Sequence, residues 1–181
     1  MSESTASLEE TPETVDLSEE QNNDAEQLHG VPVTNSRGQL VLHPSTGSYH
    51  DLIALLVEEG YDVCIDLCGA DYLGNGTRVL PASVEPERFE LIVNLLDVRT
   101  PRRLRIRVQV PESEPMVATI SGIHPGAEAM EREASDMFGL CFEGHPDPTP
   151  ILLPDGWEGH PLRKDFAIGS IPVQFKAVEG R

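Results

Sequence analysis

The chain has 181 residues, 39% of them apolar, with 31 acidic against 13 basic side chains and a formal charge of −18. That length predicts one domain with room for a tail, and so negative a balance argues against binding nucleic acid through its phosphates. The longest useful apolar run, Leu52 to Val57, falls far short of the ~20 residues that cross a bilayer, so direct membrane insertion is not expected.

The first 30 residues hold nine Asp and Glu and no Lys or Arg. Such a start cannot bury enough apolar surface to offset its ordering entropy, which predicts a disordered acidic tail over 1–29. Its charge is also opposite to that of a basic targeting leader. A domain over 30–139 follows. Val31 to Pro44 reads as two short strands around a turn at Asn35-Ser36-Arg37-Gly38. Ser48, with Asp51 three residues on, resembles a capping box opening a helix with Leu52, Ile53, Leu55 and Leu56 facing inward and Gly60 just past its end.

Strand-like runs come next at Tyr61 to Leu67, Phe89 to Val98, Arg103 to Val110 and Met116 to Ile120, with a turn-rich insertion from Gly69 to Pro86. The third run alternates Arg103, Arg105 and Arg107 with Leu104, Ile106 and Val108, a pattern expected to give a solvated or salt-bridged basic face. A second helix is predicted from Pro125 to Phe138, with Gly139 just beyond it. Ala127, Met130, Ala134, Met137 and Phe138 form its apolar stripe. Glu128, Arg132 and Asp136 stand four apart on the other face, where Arg132 can pair both ways along the helix. Glu133, at the stripe's edge, is expected to be partly buried. These elements predict an α+β fold: a mainly antiparallel sheet, two packed helices, a disordered tail and a long irregular C-terminal arm over 140–181.

That arm is the unusual part. From Gly139 to Pro161, nine of 23 residues are Gly or Pro, which no helix or central strand tolerates. Yet Leu140, Phe142, Ile151, Leu152, Leu153, Trp157 and Leu162 lie in or next to it. Apolar side chains on a long loop must cover something, either the chain's own core or a partner.

The three cysteines, Cys64, Cys68 and Cys141, form an odd and sparse set that points to reduced thiols in a cytoplasm. On one strand Cys64 and Cys68 would stand roughly 13 Å apart, too far for one ion. An iron–sulfur cluster wants about four well-spaced thiolates. Packing cysteines, with no metal and no cofactor in this chain, are the expectation.

The words Glu131-Arg132-Glu133, Asp136-Met137-Phe138-Gly139, Gly144-His145-Pro146-Asp147, Ile151-Leu152 and Trp157 to Asp165, in this order and spacing, resemble the C-type subunit of respiratory NADH:quinone oxidoreductase (NDH-1), the 30-kDa subunit of complex I. The likeness extends more weakly through Arg88-Phe89-Glu90, Asn94-Leu95-Leu96 and Ile65-Asp66-Leu67 to the Leu52 helix. It implies a non-redox member of the hydrophilic arm of a proton-translocating enzyme, peripheral on the cytoplasmic side of the inner membrane. It also implies packing against the D-type, quinone-site subunit and near the B-type subunit of complex I, with flavin and iron–sulfur clusters in partner subunits and the C-terminal arm wrapping a neighbour. Pro148, Thr149 and Pro150 depart from the basic residues usual there, and Met130 and Ser135 replace common aromatics.

Glu131, Glu133 and Asp136 on one helix do not by themselves make a catalytic pair, because acid–base chemistry needs two groups of shifted pKa facing one cleft. His145 and His160, each in a Glu-Gly-His-Pro word, read as turn corners rather than proton relays. Trp157 and Arg163 are the types that dominate interface energetics. The expected partner-facing set is therefore Glu131, Arg132, Glu133, Asp136, His145, Asp147, Trp157, His160, Arg163, Lys164 and Asp165, with no catalytic residue. Two other readings remain: the equivalent subunit of a membrane-bound hydrogenase-type complex, and a free-standing metal-dependent hydrolase using His145, His160, Asp147 and Asp165.

Overall fold

The computed structural model describes residues 27–167 together with Gly169. The expected acidic tail up to residue 26, and the arm beyond 169, lie outside the described residues. Two strands, β1 (Gln27–Leu28) and β2 (Val31–Ser36), precede β3 (Gln39–Leu42) and helix α1 (Thr46–Glu58). Then come β4 (Val63–Asp71), β5 (Phe89–Asp97), β6 (Arg102–Val110), β7 (Met116–Ala118), α2 (Ala127–Phe138) and β8 (Cys141–Glu143). The main sheet has the order β1-β2-β3-β6-β5-β4, and β7 pairs with β8 in a second, two-stranded sheet. Of the main sheet's pairings only β3 with β6 is parallel. The fold is the α+β arrangement expected, with a mainly antiparallel sheet and two helices packed on it.

Alternation decides which face the helices cover. Phe89, Leu91, Val93 and Leu95 of β5 and Leu104, Ile106, Val108 and Val110 of β6 are all buried on one face. Tyr49, Leu52, Ile53 and Leu56 of α1 and Ala127 and Ala134 of α2 close over them in a single core. Each large apolar side chain so buried stabilises the fold by about 1.5–3 kcal/mol before entropy is counted. The opposite face carries the alternating arginines of β6: Arg105 and Arg107 are hydrogen-bonded there, while Arg103 is exposed to solvent. Arg107 donates to both oxygens of the fully buried Glu90 at 2.7 and 3.0 Å, and Arg105 donates to Asn94 Oδ1 at 3.0 Å. The insertion crosses this face, where the Val79 carbonyl accepts from Arg107 at 3.2 Å.

Several local expectations shift. α1 starts earlier than the sequence suggests: Ser45 is its N-cap, and Ser48 is the reciprocal partner three residues on. A hydroxyl at each end serves this box, so the Asp51 carboxylate is not needed. Leu55 is 39% exposed rather than inward. Pro125 lies before α2, whose N-cap is Gly126. β4 runs on through Gly69 and Ala70 to Asp71, because Gly69 lies flat against the Phe138 ring, where a Cβ would come within 2.6 Å. A register shift between Cys64 and Asp66 places Cys64 opposite core residue Leu95 and Cys68 opposite the outer residue Ile92. The two thiols thus point to opposite faces of β4. Cys68 and Cys141 are exposed rather than packed; only Cys64 sits partly in the core.

Candidate functional site

The site is built where α2 ends and the arm begins. Gly139 adopts φ +72, and a side chain there would run into His160 and Arg163. Only glycine turns the chain this tightly under those two residues. The chain then pairs β8 with β7 and returns along α2.

Two carboxylates of the domain, Asp136 and Asp71, hold the returning backbone, and a third, Glu131, ties α2 to the segment before it, with the arm's His145 3.7 Å away. Glu131 is fully buried, and its Oε1 accepts the Ile120 N–H at 2.7 Å while its Oε2 accepts the Thr119 hydroxyl. No Lys or Arg pairs with it among the described residues. Burial pushes its carboxyl above the ordinary 4.5, against the pull of Thr119, Ile120 and the nearby His145. Next, one oxygen of Asp136 accepts the N–H groups of Ile151, Leu152 and Leu153 at 2.9, 2.7 and 3.2 Å. Farther on, Asp71 takes a two-point bond from Arg88 at 3.1 and 3.0 Å and the Lys164 N–H at 2.8 Å. Burial would raise Asp71, but the Arg88 fork and the N–H groups of Lys164 and Leu73 outweigh it and hold it at about 2. Arg88 also reaches Asp165 at 2.8 Å, so one guanidinium joins the mouth of the β4–β5 hairpin to the end of the arm.

Basic and aromatic residues complete the seam. Arg132 donates to the Thr149 carbonyl at 2.8 Å and pairs with Asp147 at 3.4 Å. Asp147 in turn accepts the Thr149 N–H and hydroxyl. Thr149, standing where the resemblance expected a basic residue, is thus held by this chain itself. His145 Nδ1 accepts the Asp147 N–H at 3.1 Å, which places its proton on Nε2, 3.1 Å from the Glu128 carbonyl. His160 Nδ1 donates to the Asp136 carbonyl at 2.9 Å. Arg163 donates to the Phe138 carbonyl at 2.7 Å and lies over the buried Phe89 ring, 4.9 Å from its centroid. Trp157 stacks on Phe166 at 6.4 Å.

The arm to Phe166 therefore lies on the chain's own domain. The expectation that a partner mainly orders Trp157 to Asp165 is revised, because the end of α2, Asp71 and Arg88 already bond His160, Leu162, Arg163, Lys164 and Asp165. Glu131 and Asp136 face inward, whereas Glu133 is exposed, the reverse of the expected order. Arg132 reaches the arm rather than its helix neighbours. Lys164 contributes its backbone to Asp71 and leaves its side chain exposed. Asp71, Arg88, Phe89 and Thr119 are site residues that sequence reasoning missed; Arg88-Phe89 stood in a quoted word, but nothing in it showed that the arm returns there.

What the seam presents outward is apolar. Ile151 is 42% exposed, Leu152 56% and Leu162 51%, although their backbone is fixed. Among the described residues no group of three His, Cys, Asp or Glu is placed to hold a metal ion, and no helix is long and apolar enough to cross a membrane.

Residues 42–171, from the end of β3 through the arm, match the family described as the 30 Kd subunit of respiratory-chain NADH dehydrogenase. The chain belongs to this family. It is 42% identical over 162 residues to the C-type subunit of NADH-quinone oxidoreductase from Bordetella petrii, covering 83% of this chain and 78% of that protein. To the corresponding subunit from Salinispora arenicola it is 35% identical over 150 residues, covering 81% of this chain. It spans only 58% of that relative's length. Among solved structures it resembles a trypsin-resistant fragment of Nqo5, with a TM-score of 0.57 and 31% identity over 65% of this chain and 89% of the fragment. The family match runs across the whole carboxylate seam of this 30-kDa-type subunit, from Asp71 to Asp165.

Proposed function

We propose that this chain is the non-redox 30-kDa-type subunit of a proton-translocating NADH:quinone oxidoreductase, seated in its hydrophilic arm against the D-type, quinone-site subunit and near the B-type one. It would be peripheral on the cytoplasmic side of the inner membrane, with flavin and iron–sulfur clusters carried by its partners. The family and the names of its relatives support the enzyme. The observation that supports a scaffolding role is the seam: the domain commits the Asp136 carboxylate to three consecutive N–H groups while leaving Ile151 and Leu152 turned outward. A backbone fixed this firmly under exposed apolar side chains is pre-ordered for docking, which lowers the entropy cost of association.

No catalytic role falls to this chain in that reading, since Glu131 and Asp136 are engaged by Thr119, Ile120 and the arm. The test replaces Ile151 and Leu152 together by Ser in the tagged chain and isolates it from native membranes. The expected result is loss of co-purifying subunits and of NADH:quinone activity, at about 2 kcal/mol or more of binding. The melting temperature of the free subunit should stay unchanged. An intact, active complex carrying both substitutions would remove these residues from the interface. Recovery of the unmodified chain with a nickel-containing partner would favour the hydrogenase-type assembly instead.

A further inference from the structure

Where the β4–β5 connection crosses the outer face of the sheet, it covers a polar layer with one donor too many. Glu90 is fully buried there, and its oxygens accept from Arg107 at 2.7 and 3.0 Å and from the Gln109 amide at 2.6 Å. A second guanidinium, Arg78, approaches the same carboxylate only to 3.6 Å, since Glu90 is already filled. Its Nη2 donates to the Glu87 carbonyl, and its plane lies over the Tyr72 ring, 4.1 Å from the centroid. Its Nη1 is buried without a hydrogen-bond partner among the described residues, on a side chain only 8% exposed. One carboxylate thus serves two guanidiniums, and a charged donor is left over. A buried donor left unmet carries the full cost of its desolvation.

Arg78 lines a cavity of about 650 Å³ enclosed by that connection, a size that suits a small ligand. Leu73, Leu80, Pro81 and Val84 give the cavity apolar walls. Arg88 also borders it, but its donors are committed to Asp71, Glu112 and Asp165. Glu85, Glu87 and Glu112 border it too, the first and last exposed and Glu87 half-buried. Three acids around one free cation disfavour a dianion such as phosphate, whereas a single negative charge is matched by Arg78. We propose that this cavity binds a small monocarboxylate with an apolar body, its carboxylate bonded to Arg78 Nη1 and its hydrocarbon laid against Leu73, Leu80 and Val84. Stacking on Tyr72 fixes the guanidinium plane in advance, so little freedom is lost when the carboxylate arrives. The site is formed by the domain alone and does not depend on the proposed assembly.

Titrating hexanoate into the whole chain at pH 7, followed by amide chemical shifts, tests it. Saturable shifts should be confined to residues 72–88 and Glu112, with a dissociation constant of about 1 mM. Hexanol, which lacks the charge, and inorganic phosphate, which carries too much, should not saturate. Arg78→Lys should weaken binding about fivefold or more, because an ammonium lacks the planar edge, and Arg78→Leu should abolish it. Glu90 keeps Arg107 and Gln109 in both variants. Leu80→Glu places a carboxylate on the cavity wall for Arg78, so it should abolish binding while the melting temperature holds or rises. Absence of saturable shifts at about 20 mM hexanoate would overturn the proposal, since a millimolar site is then filled. So would equal binding of hexanol, which would show apolar adhesion alone, or of phosphate. Hexanoate binding that survives Leu80→Glu would likewise remove Arg78 from the site, even if Arg78→Leu fails to fold.

Discussion

Two buried carboxylates lie under the two ends of the arm, Asp71 bonded to the Lys164 N–H and Glu131 3.7 Å from His145, and their chemistry is opposite. At the far end Asp71 faces a guanidinium, and its charge is matched by Arg88 and by the N–H groups of Lys164 and Leu73. At the near end Glu131 has only a hydroxyl, one N–H and a histidine in its neutral tautomer. The first pair resists acid and depends on a single cation. The second is comfortable protonated and strained when ionised. Between them Asp136 holds the backbone with no side-chain cation among the described residues. The arm is thus fixed by charge at one end and by hydrogen-bond geometry at the other, and each end should fail under a different perturbation.

Removing the cation should have the largest effect. Arg88→Ala leaves Asp71 buried and unpaired and releases Asp165 and Glu112 together, so a loss of about 3–5 kcal/mol is expected. Thermal melting of the free subunit measures it. Arg88→Lys should recover only part, because an ammonium cannot reproduce the two-point bond to Asp71. If Arg88→Ala melts like the unmodified chain, the far end is not held by charge.

Asp136→Ala comes next. Three N–H groups lose one acceptor, and with partial rescue by water the expected cost is about 1–3 kcal/mol. Amide exchange should show Ile151, Leu152 and Leu153 released while the Lys164 amide, held by Asp71, stays protected. Simultaneous release of both would mean the two ends are one cooperative unit. Gly139→Ala should cost about 1–2 kcal/mol, as a left-handed backbone does once it carries a Cβ, and it should loosen both ends by displacing His160 and Arg163. A fully stable Gly139→Ala chain would contradict the close approach of those two residues.

How much of this was legible in the sequence follows from which interactions are local. The alternation in β5 and β6, the stripe on α2 and the Gly139 stop are one-dimensional patterns, and each predicts its element. Cap positions are less readable: Ser45 and Ser48 are both good N-cap residues, and only the backbone distinguishes cap from partner. The bulge that separates Cys64 from Cys68 leaves no trace in composition. On α2 the periodicity ranks Glu133 nearer the core than Glu131, yet Glu131 is buried because Ile120 and Thr119, eleven and twelve residues earlier, offer it donors. Asp71 with Lys164 spans 93 residues. The arm's apolar content showed that it must cover something; that its backbone covers its own domain depends on such long-range bonds.

The smallest effect expected is also the most specific. At neutral pH an ionised Glu131 carries the cost of burial without a full counter-charge. Because its folded pKa is raised above 4.5, that cost fades as the pH falls through the folded value towards 4.5, and this group's effect on stability improves. Asp71 behaves oppositely: its contribution is complete above its unfolded value of 3.8 and is lost as the pH drops through about 2. The free subunit should therefore have a contribution that rises on mild acidification and a separate one that collapses below pH 4. Glu131→Gln keeps the carbonyl that accepts Ile120 and presents an amide to Thr119, whose hydroxyl can turn to accept it. Its net effect at pH 7 should stay within about 1 kcal/mol. What it should remove is the rise: the difference in melting temperature between Glu131→Gln and the unmodified chain should shrink or reverse as the pH falls from 7 towards 4.5, while the collapse below pH 4 persists in both. A difference that stays constant down to pH 4.5 would show that the Glu131 carboxyl is not raised in the folded chain, and that burial does not set the acid response beneath the near end of the arm.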